Sequence, residues 1–155
     1  MRTGGALLLQ RTQPVALLGT LLPTTESGGP GWIHASLEPD PEWFRLLADP
    51  DRTGLILDRS LALTIASLLD VLLAQLRHLR GAVAFGEHTL PAGAVYVLPG
   101  DNATKTVTLY WPTDPQRFSH TASPDELSVI IREDLADQIR RSIIDELGRL
   151  AAWQP

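Results

Sequence analysis

The chain contains no cysteine in its 155 residues. This absence excludes disulfide bonds, thiolate zinc sites and cysteine nucleophiles. Basic residues are also few, since one lysine accompanies twelve arginines and the formal net charge is −5. Because nucleic acids and anionic membranes attract basic proteins, we expect neither of them as the partner.

Aromatic residues make up only 6% of the chain, whereas leucine occurs 27 times. A chain this apolar can bury a substantial core and does not have the composition of a disordered protein. Its length suits a single domain over residues 1–155. The apolar N-terminal stretch is interrupted by polar residues 10–13, and no small-x-small cleavage site follows it. We therefore expect a cytoplasmic location.

The longest apolar pattern, from Ser60 to Arg80, predicts one long central helix. At 100° per residue its apolar arc is wider than a surface helix needs, which indicates burial on more than one side. The arc consists of Leu61, Ile65, Leu68, Leu69, Leu72, Leu76 and Leu79. Ser60 suits the N-cap, and Gly81 suits the left-handed position after the last turn. Asp70, Gln75 and the basic residues at the end argue against a membrane span.

Three strands are predicted before this helix, over residues 5–11, 15–22 and 32–38. Pro14 cannot donate to a strand ladder, so we place it in the turn between the first two strands. Residues 42–48 then predict a short helix, because Asp40 suits its N-cap and Pro41 its first position. Residues 49–54 have the composition of a turn.

After the central helix, residues 82–86, 94–98 and 104–111 predict a three-stranded meander. The last of these is the strongest strand pattern in the chain, because it alternates and is rich in threonine, valine and aromatic residues. Residues 112–125 follow as a long loop interrupted by prolines. Long loops in compact domains often have a functional role.

Two interpretations are open for the C-terminal residues 124–153. One straight helix would have to turn its apolar face by about 140° along its length. A strand over residues 127–132, followed by a helix over residues 133–152, avoids that change. The β-branched run at residues 129–131 favours this second interpretation, which we prefer.

These elements together predict an α+β fold. We expect a mainly antiparallel sheet of about six strands, with a long buried central helix and a C-terminal helix packed on it. We expect no internal repeat and no low-complexity tract in the chain.

No catalytic or metal-binding motif accompanies these elements. No two histidines stand at metal-ligand spacing from one another; they are His34, His78, His88 and His120. Ser36 lies two residues after His34, too far along a strand for a direct nucleophile–base hydrogen bond. The glycine cluster at residues 27–31 matches no phosphate-binding loop. We therefore expect no catalytic residue, no metal and no cofactor.

Two regions suggest contact with another protein. Trp43 and Phe44 could anchor a partner from the predicted short helix, although they could equally fill the edge of the core. Arg117 and Phe118 lie in the long loop, where the alternative is an inward-facing phenylalanine ring. Trp153 could hold the last helix in place or face a second subunit.

The leading hypothesis is a non-catalytic protein-binding or assembly module, acting as a homo-oligomer or through a partner protein. The alternative is a small enzyme or ligand-binding domain with a pocket between sheet and helices. Its polar groups would be His34, His88, His120 and Asp101.

Overall fold

The computed structural model of the chain describes residues 20–22, 31–37, 44–80, 90, 93–101, 103–122 and 127–152. Within these residues, two helices and eight strands follow one another in the order ββββα–ββββα. The strands are β1 (Thr20–Leu22), β2 (Trp32–Leu37), β3 (Phe44–Ala48), β4 (Arg52–Asp58), β5 (Tyr96–Leu98), β6 (Thr106–Pro112), β7 (Phe118–Ala122) and β8 (Leu127–Arg132). The helices are α1 (Arg59–Arg80) and α2 (Glu133–Ala151).

The strands form two antiparallel sheets of four. The first sheet has the order β1-β2-β8-β7, and the second sheet has the order β3-β4-β6-β5. Helix α1 packs against β4 and β6 of the second sheet, α2 packs against β2 and β8 of the first, and the helices pack on each other. The predicted α+β class is confirmed. The strands divide between two sheets, whereas one sheet was predicted. Each sheet is centred on a pair of strands that are distant in sequence, β2 with β8 and β4 with β6.

Helix α1 supplies one wall of the core, as its apolar pattern predicts. Its inner stripe is at most 5% exposed and consists of Leu61, Ile65, Leu69, Leu73 and Leu76. Burial is less complete than predicted, because Leu63 and Val71 on the opposite side are 57% and 54% exposed. By length and composition alone, Arg59–His78 is apolar enough to span a membrane.

The N-terminus of α1 is capped by Asp58, two residues earlier than predicted. Its Oδ2 atom accepts hydrogen bonds from the Ser60 amide at 3.2 Å and from the Ser60 hydroxyl at 2.5 Å. A carboxylate at this position satisfies an amide that has no partner within the helix. Ser60, which was predicted as the cap, therefore donates to it. Gly81, which was predicted to follow the last turn of the helix, lies outside the described residues.

The C-terminal segment follows the preferred interpretation, a strand and then a helix. Strand β8 ends at Arg132, whose backbone is extended (φ −70°, ψ 146°), and α2 begins at Glu133. The change of direction there lets Val129 and Ile131 face the core from the sheet while Ile139 and Ile143 face it from the helix. The apolar residues of the strand and those of the helix thus face the same core, and no helix has to change its buried face along its length.

Two predictions between these elements are wrong. Residues 44–48 form strand β3 instead of a helix, because they pair with β4 along their whole length. The predicted loop over residues 112–125 contains strand β7, which pairs with β8. In both cases pairing with the next strand of a hairpin, β4 or β8, decides the conformation of a segment with weak local preference. The predicted strands over residues 5–11, 15–19 and 82–86 lie outside the described residues.

The two ββββα units are copies of one arrangement, related by pseudo-two-fold symmetry. A shift of 74 positions takes β3 (Phe44–Ala48) to β7 (Phe118–Ala122) and the start of α1 to the start of α2. The same shift turns the order of the first sheet into that of the second. Each sheet therefore contains two strands from each unit.

Individual backbone contacts obey the same relation. The Glu133 amide donates to the Gly31 carbonyl at 3.0 Å, and the Arg59 amide donates to the Lys105 carbonyl at 3.0 Å. These residues correspond pairwise under the 74-position shift. The expectation that the chain has no internal repeat is therefore wrong.

The repeat is also present in the sequence. Residues 31–80 align with residues 105–154 without a gap, and twelve of the fifty positions are identical. The matches cluster in Asp-Pro-x-x-Phe at 40–44 and 114–118, Ala-x-Pro-Asp at 48–51 and 122–125, and Leu-Ala-x-x-Ile at 61–65 and 135–139. Equivalent positions meet equivalent packing demands, so a surface difference between the units is not required by the fold.

Candidate protein-binding surface

Of the residues predicted as partner contacts, the structure describes Phe44, Arg117 and Phe118. Phe118 is only 9% exposed, and its ring meets Trp111 edge-on with centroids 5.5 Å apart, so it faces the core. Phe44 begins β3. Trp43 and Trp153 lie outside the described residues.

Arg117 is engaged in an ion-pair network at the start of α2. Its Nε donates to Asp134 at 3.0 Å, and Arg132 binds both oxygens of the same carboxylate at 2.9 and 2.8 Å. The side chain of Asp134 is 2% exposed. Burial alone would raise the pKa of Asp134, but the hydrogen bonds from Arg132 and Arg117 outweigh it and hold that pKa below its ordinary value. The network joins β7, β8 and α2, so we assign Arg117 a structural role.

The histidines proposed for an enzymatic pocket do not converge within the described residues. His34 is half-buried on β2 and His120 is exposed on β7. In the sheet register, Ser119 lies in the same row as His34. His120 is the next residue along β7, so the two histidines are on opposite faces of the sheet. Asp101 is exposed in the loop before β6, and His88 lies outside the described residues. No cluster of three potential metal ligands occurs among the residues that the structure describes.

A small apolar cavity lies between the sheets and the helices. Its volume is about 40 Å³, and its lining has no exposed polar surface. Ile65, Ile139 and Trp111 contribute to that lining. A cavity this small and apolar offers no convergent polar groups for catalysis.

A larger groove of about 540 Å³ runs beside α2 and has a charged lining. Its carboxylates are partly occupied, because Glu146 accepts from Arg149 at 2.8 Å and from the Gly100 amide at 2.9 Å. Asp137 is likewise paired with Arg141 at 2.9 Å. The bond from the Gly100 amide holds α2 against the loop at residues 99–101, and the Asp137–Arg141 pair lies within α2, so we assign both a structural role.

The outer face of the second sheet is different, because it exposes apolar and aromatic side chains. The register places on this face Arg45 and Leu47 of β3, Arg52, Gly54 and Ile56 of β4, Thr108 and Tyr110 of β6, and Tyr96 and Leu98 of β5. We call these nine residues the second-sheet face. Tyr96 is 60% exposed, Leu98 59% and Leu47 41%. These side chains lie on the two edge strands of the sheet, and large apolar side chains at this exposure on one face are typical of contact surfaces.

Tyr110 forms the centre of this face. Its ring lies over Gly54, where an added Cβ would be only 3.0 Å from the ring edge and 3.5 Å from Leu47. The Arg52 guanidinium lies over the ring, 5.2 Å from its centroid. Glycine therefore permits the ring to lie flat on the sheet, and the result is a broad aromatic platform beside Leu47.

The first sheet has hydroxyl residues at equivalent positions. Leu47 corresponds to Thr121, Gly54 to Ser128 and Tyr110 to Ser36 under the 74-position shift. Ser36, Ser128 and Thr121 share one row of the first sheet's register. At these three positions the first sheet carries hydroxyl residues, and the second sheet carries leucine, glycine and tyrosine.

Sequence patterns missed this face for an identifiable reason. The alternation in residues 104–111 does separate Tyr110 from the buried Trp111. The sequence pattern, however, predicts a helix at Leu47, and a helix does not place Leu47 beside Tyr110. The 74-position repeat aligns Leu47 with Thr121, so the sequence itself contains the contrast between an apolar and a polar residue at this position.

No protein-family model, curated protein or solved structure matches the chain. The assignment of a contact surface depends on the unequal outer faces of the two sheets.

Proposed function

We propose that the protein is a non-catalytic protein-binding module and that the second-sheet face is its contact surface. The observation that carries this proposal is the contrast at equivalent positions. Leu47, Gly54 and Tyr110 stand where the other unit has Thr121, Ser128 and Ser36. Leu47 is 41% exposed, and a large apolar side chain left in water gains little from folding, so a bound partner explains this contrast best.

The composition of the face also fits protein recognition. Tyrosine and arginine are enriched among the residues that dominate binding energy, and Tyr96, Tyr110, Arg45 and Arg52 lie on this face. The expected homo-oligomer is one form of this proposal, in which the partner is a second copy. Sedimentation velocity of the full chain measures it directly.

Exchanging residues between the units tests the proposal. In the double variant Leu47→Thr/Tyr110→Ser, each new residue is the one that the first sheet carries at the same position. We expect the fold to persist and co-purification of specific partner proteins to fall about tenfold or more, as for the loss of central anchors. Quantitative mass spectrometry of proteins bound to the wild-type and variant chains measures the change.

The matched control is Ser119→Ala/Thr121→Ala on the outer face of the first sheet, where both side chains are exposed. It should retain the wild-type set of bound proteins. Equal retention of partners by the double variant would refute the proposal, and so would an equal loss in the control. A thermal midpoint within a few degrees of wild type verifies that each variant is folded.

A further inference from the structure

We infer that the partner presents an amphipathic helix, with an apolar stripe against Tyr110, Leu47 and Tyr96 and with carboxylates that reach Arg45 and Arg52. This inference builds on the proposed function, since it specifies what the second-sheet face binds. It follows from the hydrogen-bonding state, the dimensions and the charge of that face.

The backbone of the second-sheet face is already satisfied at its centre. Strands β4 and β6 pair with each other, and each has a further neighbour, β3 or β5. An extended peptide laid across this face would leave its own amides and carbonyls unpaired over an apolar surface. A helix satisfies its backbone internally and can offer side chains alone.

The opposite face of the same sheet is covered in this manner. Helix α1 packs against β4 and β6 from the inside. A helix on the outside would complete a three-layer arrangement that is common among folds with sheets. Four strands at about 4.8 Å spacing measure about 14 Å across, which about ten helical residues cover.

The charge of the face favours a partner with carboxylates. Arg45 and Arg52 are both exposed, and within the described part of the chain no ion pair joins either of them to an acidic residue. Asp58 is the acidic residue at the end of β4, and it caps α1 through Ser60. A second copy docked through the same face would bring like charges together, which opposes a symmetric dimer there.

Synthetic helices test the inference with the full-length protein. The first probe is a fluorescein-labelled peptide of about 18 residues, with leucine at i, i+3, i+4 and i+7 spacing and glutamate on both flanks of the stripe. The second has lysine in place of every glutamate. The third alternates leucine and glutamate, so that it favours an extended chain. Fluorescence anisotropy at low and high salt gives the three affinities.

We expect the glutamate helix to bind at least about tenfold more tightly than the lysine helix or the alternating peptide, with the margin shrinking at high salt. Leu47→Thr/Tyr110→Ser should weaken that binding about tenfold or more. Arg45→Gln should weaken it about two- to fivefold, as for one partly exposed ion pair. Arg141→Gln, on the exposed side of α2, is the matched control and should have no effect.

Equal binding of the glutamate and lysine helices, preference for the alternating peptide, or no binding of any probe would overturn the inference. The proposed function would survive each of these results if Leu47→Thr/Tyr110→Ser still lost its co-purifying partners. If that variant kept both its partners and its affinity for the glutamate helix, the contact surface itself would be wrong.

Discussion

Replacement of Asp134 by alanine is expected to lower the free energy of unfolding by about 3–5 kcal/mol, the usual cost of removing one member of a buried ion pair. The Asp134 carboxylate accepts two bonds from Arg132, one from Arg117 and one from the Leu135 amide at 2.9 Å. Its loss would leave the Arg132 side chain, which is 9% exposed, without its bidentate partner. Urea denaturation followed by circular dichroism measures the change.

The matched control is Asp70→Ala on α1. Asp70 is 68% exposed and lies 3.7 Å from Arg140, so this pair should contribute less than about 1 kcal/mol. Asp134→Asn retains one acceptor oxygen and should fall between the two alanine variants. Comparable losses for Asp134→Ala and Asp70→Ala would show that the buried network has no special role.

The cost of Asp134→Ala should depend on pH in a defined direction. The hydrogen bonds from Arg132 and Arg117 outweigh the effect of burial, so the folded-state pKa of Asp134 lies below the ordinary value of 3.8. A carboxylate with a lowered pKa contributes its full stabilisation above the unfolded-state pKa and loses it as the pH falls through the folded-state pKa. The difference between wild type and variant should therefore be constant near neutrality and shrink below about pH 3.8. A constant difference down to strongly acidic pH would contradict this explanation.

Truncation of Leu61 or Leu135 to alanine should cost about 2–5 kcal/mol, and the two costs should agree within about 1 kcal/mol. These leucines occupy the third position of α1 and of α2, and they are 2% and 1% exposed. The cost of a cavity depends on how far its surroundings can collapse, so equivalent surroundings should give similar values. Chemical denaturation of both variants under identical conditions makes the comparison.

Leu63→Ala is the control within the same helix. Leu63 is 57% exposed, so its truncation should change the unfolding free energy by less than about 0.5 kcal/mol. Costs for Leu61→Ala and Leu135→Ala that differ by several kcal/mol would mean that the two units do not share a packing environment.

Local patterns were sufficient to predict the elements that have strong periodicity. The helix over residues 59–80, the strand β6 and the division of the C-terminal segment at Arg132 all followed from the spacing of apolar residues. The sequence pattern does not predict strands β3 and β7, because both segments are short, are flanked by prolines and have a weak preference for the strand conformation. Their conformation is set by hairpin pairing with β4 and β8, and the residues within each short segment do not show that pairing by themselves.

The candidate site could be predicted only in part for the same reason. The sequence pattern predicts Arg117 and Phe118 as contact residues in a loop. In the structure β7 turns Phe118 to the core, and an ion pair with Asp134 holds Arg117. The second-sheet face unites four strands, and only the fold brings Leu47, Tyr110 and Tyr96 into one row. The internal repeat is present in the sequence, and it aligns Leu47, Gly54 and Tyr110 with Thr121, Ser128 and Ser36.

Photo-cross-linking from the two sheets tests the central claim most directly. A photoreactive phenylalanine analogue would be placed at Tyr96 on the second-sheet face and, in a separate chain, at the exposed Ser119 on the outer face of the first sheet. We predict that irradiation of cells producing each chain yields a protein adduct from position 96 and none from position 119. Adducts from position 119 alone, or equal adducts from both positions, would contradict the assignment of the second-sheet face as the contact surface.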